Sequence, residues 1–542
     1  RSTLFPYTTL FRSGRRVGGG FYARGNGNVL NCTFKDNHQV AGAGTGFQIN
    51  LPASHFGQVY VDNCKFDNNY NERGHGASIC FVGTSSKVHV NNSVFTNNFV
   101  GLGDLNHCGG GGILFHYGGG AYNCTFINNT ALEHGGAISG LSTEDVNLEI
   151  VDCRFINNTS PEGAAIYING NGVKVDSCNF TGNNASNFGA GIYVKGDRAE
   201  ITNSIFNENI ATSGAGVYVQ GINAKILNSN FTDNNAFNVV GGVFIKGSNA
   251  LVNTCNFNDN LAVDGGGVYI DGASAQVRNS NFTGNNASNR GGGVFIKGSN
   301  AVLYSNNFTC NHANPSDMMP NGIDGLGGGL FIDGNNNQIL KSIFNYNTAR
   351  NGSAIYTNGI NAIIKDTVLL QNQAWSYLLT TVAAPPSSIY NTADENITMV
   401  LVGGDNIANA IYNNVLPSQI SFYTVTYSTS RYGTKTTTLS EVHPVWGAEN
   451  SNGGRLLYQD SREDYQTIIL RVINDETGQI VYNNINLKTD IYGNVTVIIP
   501  KGLQPENYTV YASHPEDSLY KAINNTTKFR IIPVVDVSVT AD

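Results

Sequence analysis

Gly241-Gly-Val-Phe-Ile-Lys-Gly-Ser-Asn-Ala250 stands again, letter for letter, at Gly292–Ala301. Asn230-Phe-Thr-Asp-Asn-Asn-Ala236 leads into the first copy, and Asn281-Phe-Thr-Gly-Asn-Asn-Ala287 leads into the second. Working outward from these, a unit of the form Asn/Ser-x-Phe-x-x-Asn-x-Ala recurs along roughly the first 375 residues. Self-similarity at a fixed period is the signature of a solenoid, a propeller or an array.

The aromatic position falls at Phe34, Phe66, Phe95, Phe126, Phe155, Phe180, Phe206, Phe231, Phe257, Phe282, Phe308 and Phe344, and Leu369 closes the series. Three residues after each stands an asparagine, from Asn37 through Asn183, Asn209, Asn234, Asn260 and Asn285 to Asn372. A small-residue cluster precedes the next apolar run, as in Gly135-Gly-Ala-Ile138, Gly189-Ala-Gly-Ile192 and Gly265-Gly-Gly-Val268. From Phe155 to Phe308 the step alternates between 25 and 26 residues; nearer the N-terminus it lengthens to 29–32.

Each repeat holds two or three runs of three to five residues with alternating apolar character, punctuated by Gly, Asn, Ser and Asp. No repeat carries a helical pattern, which disfavours helical solenoids, and propeller blades need about 40–50 residues. The period therefore predicts one turn of a parallel β-helix per repeat. Equivalent positions would stack about 4.8 Å apart, giving a rod about 58 Å long from Phe34 to Leu369. The Phe positions then form an internal ring stack, and the Asn positions form a ladder of amides bonded coil to coil, each bond contributing roughly 1 kcal/mol net. Glycines permit positive φ or close backbone approach at the bends, and the general hand of parallel crossovers predicts a right-handed helix.

Composition agrees. Charged residues make up 13% of 542, the net charge is −8, glycine is abundant at 64 and methionine scarce at 3. An acidic, charge-poor chain argues against nucleic acid as a partner. No run of 18 apolar residues reads as a membrane-spanning segment. Six of the nine cysteines (Cys32, Cys64, Cys124, Cys153, Cys178 and Cys255) lie two residues before the Phe, where other repeats place Ser204, Ser229 or Ser280. A position that accepts Cys or Ser reads as a small inward ladder site with free thiols, not as a disulfide framework.

The pairing of Gly-Gly-Ala/Gly-Ile/Val with Phe-x-x-Asn resembles the repeat of polymorphic outer-membrane proteins and the β-helix regions of adhesin-like surface proteins of methanogenic archaea. The resemblance covers roughly residues 14–375. It implies a secreted or cell-surface β-helix used for attachment and usually followed by Ig-like modules, and it brings no active-site residues.

The expected fold is thus all-β: a right-handed parallel β-helix (a pectin-lyase-like solenoid of about 13 coils) followed by a small Ig-like β-sandwich. Residues 1–13 fit nothing downstream and read as a non-native, adapter-derived segment. The β-helix is expected over 14–375, a cap and connector over 376–451, the sandwich over 452–535, and the start of a further domain over 536–542. The sandwich rests on strand runs such as Thr467–Ile473 and Ile480–Leu487, separated by turn sequences such as Asp475-Glu-Thr-Gly478. The chain looks truncated at both ends.

Parallel β-helices can also carry polysaccharide lyases and hydrolases, which need a carboxylate pair. The weak candidates are Asp264 with Asp271, and Asp324 with Asp333. The residue before the glycine cluster varies as His134, Glu162, Ser213, Asp264 and Arg290, as a solvated turn would. Asp104, His107, Cys108 and His116 have metal-ligand types at no established zinc spacing, so no metal and no cofactor is expected. Two irregularities read as binding loops on one face: Asp104–Tyr117, with Asp104, His107 and His116, and the insertion His312–Leu326, with Met318, Met319 and Asp324. Tyr167, Tyr193, Tyr218, Phe244, Tyr269 and Phe295 share one phase and read as a packing stack more readily than as a sugar platform. The leading expectation is a non-enzymatic adhesin at the cell surface with a glycan or neighbouring cell-surface protein as partner. A polysaccharide-degrading enzyme and a purely structural stalk are the rivals.

Overall fold

The computed structural model describes the chain between Phe21 and Arg530, apart from residues 24–26, 52–57, 77, 84–86, 103–108, 117, 142–147, 315–324, 360–361, 371, 375–388, 392–397, 402–410, 414–421, 430–434, 442–445, 450–454, 458–466, 489–494, 499–502, 505 and 516–522. It is a parallel β-helix with an antiparallel sheet at its C-terminal side.

One coil shows the plan. Lys174–Asp176 lies on a first face, Asn179–Thr181 on a second, Asn184–Phe188 on a third and Ile192–Val194 on a fourth. Each strand pairs in parallel with the strand one repeat on, so Phe180 faces Phe206 and Tyr193 faces Tyr218. The third-face sheet holds thirteen strands, from His38–Gln39 to Gln373–Ala374. Parallel pairing on the fourth and first faces continues beyond it through Ile389–Asn391, Thr398–Leu401 and Ile411–Asn413.

Strands this short give the coil four sharp corners, each made by a residue in the left-handed region. In this coil they are Gly172 (φ 70°), Ser177 (55°), Gly182 (64°) and Gly189 (60°). The next coil uses Arg198, Asn203 and Glu208 at three of them, accepting about 1–2 kcal/mol per non-glycine residue. Stacking offsets the cost: Asn203 N donates to Leu227 O at 3.1 Å and Glu208 N to Thr232 O at 3.1 Å. The third-to-fourth corner otherwise keeps glycine, but Val240 stands there at φ 59°, fully buried among Tyr218 and Phe244.

Several stacks fill the interior, among them Ile and Val files from the first face (Val175, Ile201, Ile226) and the fourth (Ile192, Val217, Val243). Successive Phe rings lie 4.6 Å apart at 1° between Phe180 and Phe206, and 4.7 Å apart at 4° between Phe206 and Phe231. This is the expected ring stack, and it runs from Phe34 to Phe344. Beside it the asparagine ladder is continuous from Asn37 to Asn372. Asn183 Nδ2 donates to Asn209 Oδ1 at 2.9 Å and to Phe155 O at 3.0 Å, so a buried amide leaves no donor idle. The Cys/Ser position is a further internal file: Cys124 N donates to Cys153 Sγ at 3.4 Å, and Ser204 N to Ser229 Oγ at 3.1 Å. The eight cysteines among the described residues are free thiols.

Towards the C-terminus, Ile480–Lys488, Thr467–Asn474, Asn507–His514 and Ile523–Arg530 form an antiparallel sheet in that order. Ile468, Leu470, Val472, Tyr508, Val510 and Phe529 make its core. Val497 joins that core from Val495–Ile498, a strand that pairs with Lys435–Glu441 and not with its sequence neighbours.

Candidate functional site

The third-to-fourth corner gathers most of the polar side chains that sequence reading singles out. Three files run along it and across the fourth face beside it. The first takes the residue before each glycine bend, through Gly109, His134, Glu162, Phe188, Ser213, Val239, Asp264, Arg290, Leu326 and Asn351. The second is the outward residue of each fourth-face strand, from Tyr167 to Tyr356. The third follows those strands: the backbone nitrogens of His116, Lys195, Asp271, Lys297 and Asp333 each bond a fourth-face carbonyl one coil back.

The middle file is apolar although it points outward. A corner folded this sharply covers it, and Tyr167, Tyr193 and Phe295 are at most 3% exposed. The rings pack on one another, with Tyr218 4.4 Å from Phe244 and Phe331 4.9 Å from Tyr356. Packing is therefore the role of this stack, and Tyr269 is its half-buried member.

The first file is not the solvated turn expected from its variability. His134, Glu162 and Asp264 side chains are 22%, 18% and 14% exposed, and the two carboxylates are held by Lys195 and Arg290. Near one end, Glu162 lies 3.3 Å from His134 Nδ1 and 3.4 Å from Lys195 Nζ. Lys195 also sits over the Tyr167 and Tyr193 rings, 5.1 and 5.4 Å from their centroids. Burial opposes the charge on Glu162, but His134 and Lys195 outweigh it and hold its carboxyl below the ordinary glutamate range.

Towards the other end, Arg290 grips Asp264 through two bonds of 3.1 Å, and Asn289 Nδ2 adds a third at 2.8 Å. Arg290 itself lies over Phe295 and Phe331. Burial wins at Asp264, whose carboxyl is pushed up despite the guanidinium. Asp271 is paired to Lys297 at 3.1 Å, and Asp333 accepts from Asn358 at 2.8 Å. Asp264 and Asp271 belong to one coil on either side of Tyr269; burial raises that hydroxyl first, and Asp271 and Asp264 raise it further. His116 packs edge-on to His75 at 6.1 Å.

Both expected loops, Asp104–Tyr117 and His312–Leu326, are in part strand: Ile113–Phe115 is a buried strand of the fourth face and His312–Ala313 a strand of the third. Segment 103–108 is followed in the chain by Gly109, and segment 315–324 by Gly325 and Leu326; Gly109 and Leu326 are members of the first file. Eight rungs separate those residues, about 38 Å at 4.8 Å per rung. Asp104, His107, Cys108, Met318, Met319 and Asp324 lie outside the described residues. Among the described residues no group of three His, Cys, Asp or Glu could hold a metal ion, and no helix is long and apolar enough to cross a membrane. Sequence reading missed the partners Lys195, Arg290 and Lys297; opposite charges one repeat apart, as at Asp264 and Arg290, were the available signal.

Residues 123–141 hold one complete set of the repeat's marks, with Phe126, Asn129 and Gly135-Gly-Ala-Ile138. They match a family model. It is the Chlamydia polymorphic membrane protein repeat. No curated protein matches the chain. Among solved structures, the chain is similar to a mutant tailspike protein of E. coli bacteriophage HK620 in complex with a pentasaccharide, at 12% identity and a TM-score of 0.31 over 89% of this chain and 86% of that one. It is also similar to a PL6 alginate lyase in complex with a trisaccharide, at 11% identity and a TM-score of 0.18 over 74% and 84%. A third is the enzymatically active domain of bacteriophage CBA120 tailspike protein 2, at 9% identity and a TM-score of 0.24 over 92% and 66%.

Proposed function

We propose that this chain is an adhesin-like protein of the cell surface, whose β-helix presents one corner for attachment to a glycan or to a neighbouring cell-surface protein. The observation that supports this reading is that Gly109 and Leu326, the file residues that follow segments 103–108 and 315–324 in the chain, belong to the same corner as Glu162, Asp264 and Arg290, with Lys195 and Asp271 on the face beside it. Asp104, His107, Met318, Met319 and Asp324 would be its contact residues, together with His116. An Ig-like spacer over 452–535 would hold the rod away from its anchor. The carboxylates support a binding role over a catalytic one: Asp264, Asp271 and Asp333 are each already held by Arg290, Lys297 or Asn358.

A polysaccharide-degrading enzyme is the second reading, and Asp264 favours it. A carboxyl raised by burial near Tyr269 is the kind of group that general acid chemistry uses. Incubating the full chain with pectic, mucin and microbial polysaccharides, with products read by mass spectrometry, separates the two. Intact polymers that are retained by the protein, and released when 315–324 is replaced by a short Gly-Ser link, are the expected result. New oligosaccharides lost in Asp264→Asn or Asp271→Asn would overturn it.

A further inference from the structure

The second face carries a strip of small neutral side chains. From Asn179–Thr181 to Asn307–Thr309 its strands point their Phe inward and two small side chains outward. The outward files read Asn230, Asn256, Asn281 and Thr232, Asn258, Thr283 over three central coils, and Ile205 is the single apolar member of the strip. Not one outward position across these six coils is charged. The first face beside it carries Lys174, Glu200, Lys225 and Arg278, and earlier coils of the second face carry Lys65, Asp67 and Arg154.

The rungs of the strip are evenly spaced. The Phe rings behind it lie 4.6–4.9 Å apart and within 1–8° of parallel from coil to coil. Amides and hydroxyls therefore repeat at a regular interval, about 4.8 Å along the rod and about 6.7 Å across it. The amides are held in place: Asn256 Nδ2 donates to Asn230 Oδ1 and Asn281 Nδ2 to Asn256 Oδ1, both at 2.8 Å. Each such amide keeps a second N–H and a second lone pair for a partner.

We propose that this strip docks the face of an insoluble, uncharged, hydroxyl-rich polysaccharide in which chains lie side by side. Charge favours a neutral partner: the strip itself carries none, and its borders carry both signs, Glu208, Asp233 and Asp259 on one side and Lys174, Glu200, Lys225 and Arg278 on the other. Periodicity selects its form. A single sugar meets one or two neutral hydrogen bonds in competition with water, whereas an ordered polymer meets many at once on a lattice already rigid. This surface is independent of the corner described above.

The test is pelleting of the full chain with microcrystalline cellulose and with chitin, beside calcium alginate and pectate gels and an ice-retention assay. The variant is Thr232→Lys with Thr283→Lys, whose long charged side chains stand off a flat partner. Gln276→Lys on the first face is the control, and thermal unfolding of all three chains checks the fold. Retention on cellulose or chitin, weakened at least ~10-fold (~1.4 kcal/mol) by the double variant and not by the control, is the expected result. No retention by the parent chain overturns the proposal, as does retention that the double variant leaves intact or that follows 315–324 alone. Retention by ice with none on the polysaccharides overturns it in favour of ordered water.

Discussion

Asn209 and Asn234 are joined twice through one oxygen: Asn209 Nδ2 donates to Asn234 Oδ1 at 2.9 Å, and Asn209 backbone N reaches the same atom at 3.2 Å. Asn209 Oδ1 receives the matching pair from Asn183, and Asn209 Nδ2 also donates to Phe180 O at 3.0 Å. Side chain and backbone of consecutive coils are thereby tied at a fully buried position.

Replacing Asn209 by Asp keeps the shape and inverts the donor. The new oxygen would face Asn234 Oδ1 and Phe180 O, two acceptors, and the expected loss is about 3 kcal/mol at neutral pH. Because folding disfavours the ionised form here, the introduced carboxyl has a raised pKa in the folded state. The folded state then binds the extra proton, so the deficit of the Asn209→Asp chain is largest above that pKa and shrinks as pH falls towards the ordinary aspartate value of about 3.9. Guanidinium unfolding of both chains at pH 7.5 and pH 4 reads the difference.

Gly191 is glycine for want of space. A Cβ there would meet Gly216 O at 2.4 Å and the Phe206 ring at 2.8 Å. Gly191→Ala is expected to cost about 1–3 kcal/mol through overpacking. Gly478 is the contrasting case, left-handed at φ 67° with nothing within 4 Å of an added Cβ. Gly478→Ala should cost about 1–2 kcal/mol from backbone conformation alone. Thermal melts of the two variants, with a crystal structure of each, separate displaced neighbours from a strained turn.

The pairing of Glu162 with His134 and Lys195 has a sign that pH can read. Its carboxyl lies below the ordinary range, so the folded state holds fewer protons and Glu162 stabilises above the unfolded glutamate pKa, about 4.3. That contribution disappears as pH falls through the depressed value. Glu162→Gln should therefore melt below the parent chain at pH 7, with the gap closing at pH 3. A gap independent of pH would mean that shape, and not charge, is what Glu162 supplies.

Thiol chemistry tests the internal file of cysteines. Burial pushes Cys64 and Cys255 up to about 12 and holds Cys124 and Cys153 well above the usual thiol range. The nucleophile is the thiolate, so titration with an aromatic disulfide reagent at pH 8 should leave these four unmodified in the native protein and modify them on unfolding. Rapid native labelling of any of them, located by peptide mapping, would contradict the file.

The interior was legible in the sequence because each of its files obeys one rule on every coil. Phe180, Phe206 and Phe231, like Asn183, Asn209 and Asn234, meet their own kind one repeat away, so period alone implies contact. The corner obeys no such rule. Pairing there shifts register between Ser160 and Glu162 and between Ala262 and Asp264, and the file changes chemistry from His134 to Val239 to Arg290. Its diversity looked like exposure, yet a sharply folded corner half-buries whatever it holds and lets Asp264 find Arg290 on the next coil. Lys195 was hidden for a further reason: it reaches back to Glu162 on the coil before.

The near-superposition of successive Phe rings turns coil number into distance. Where each layer is laid on the last one rung at a time, removing or duplicating one coil between Gly109 and Leu326 would shift their separation by a single rung, about 4.8 Å. The rod acts as a vernier: span is set in whole increments, so two contact points on another surface could be matched in spacing by editing repeats alone.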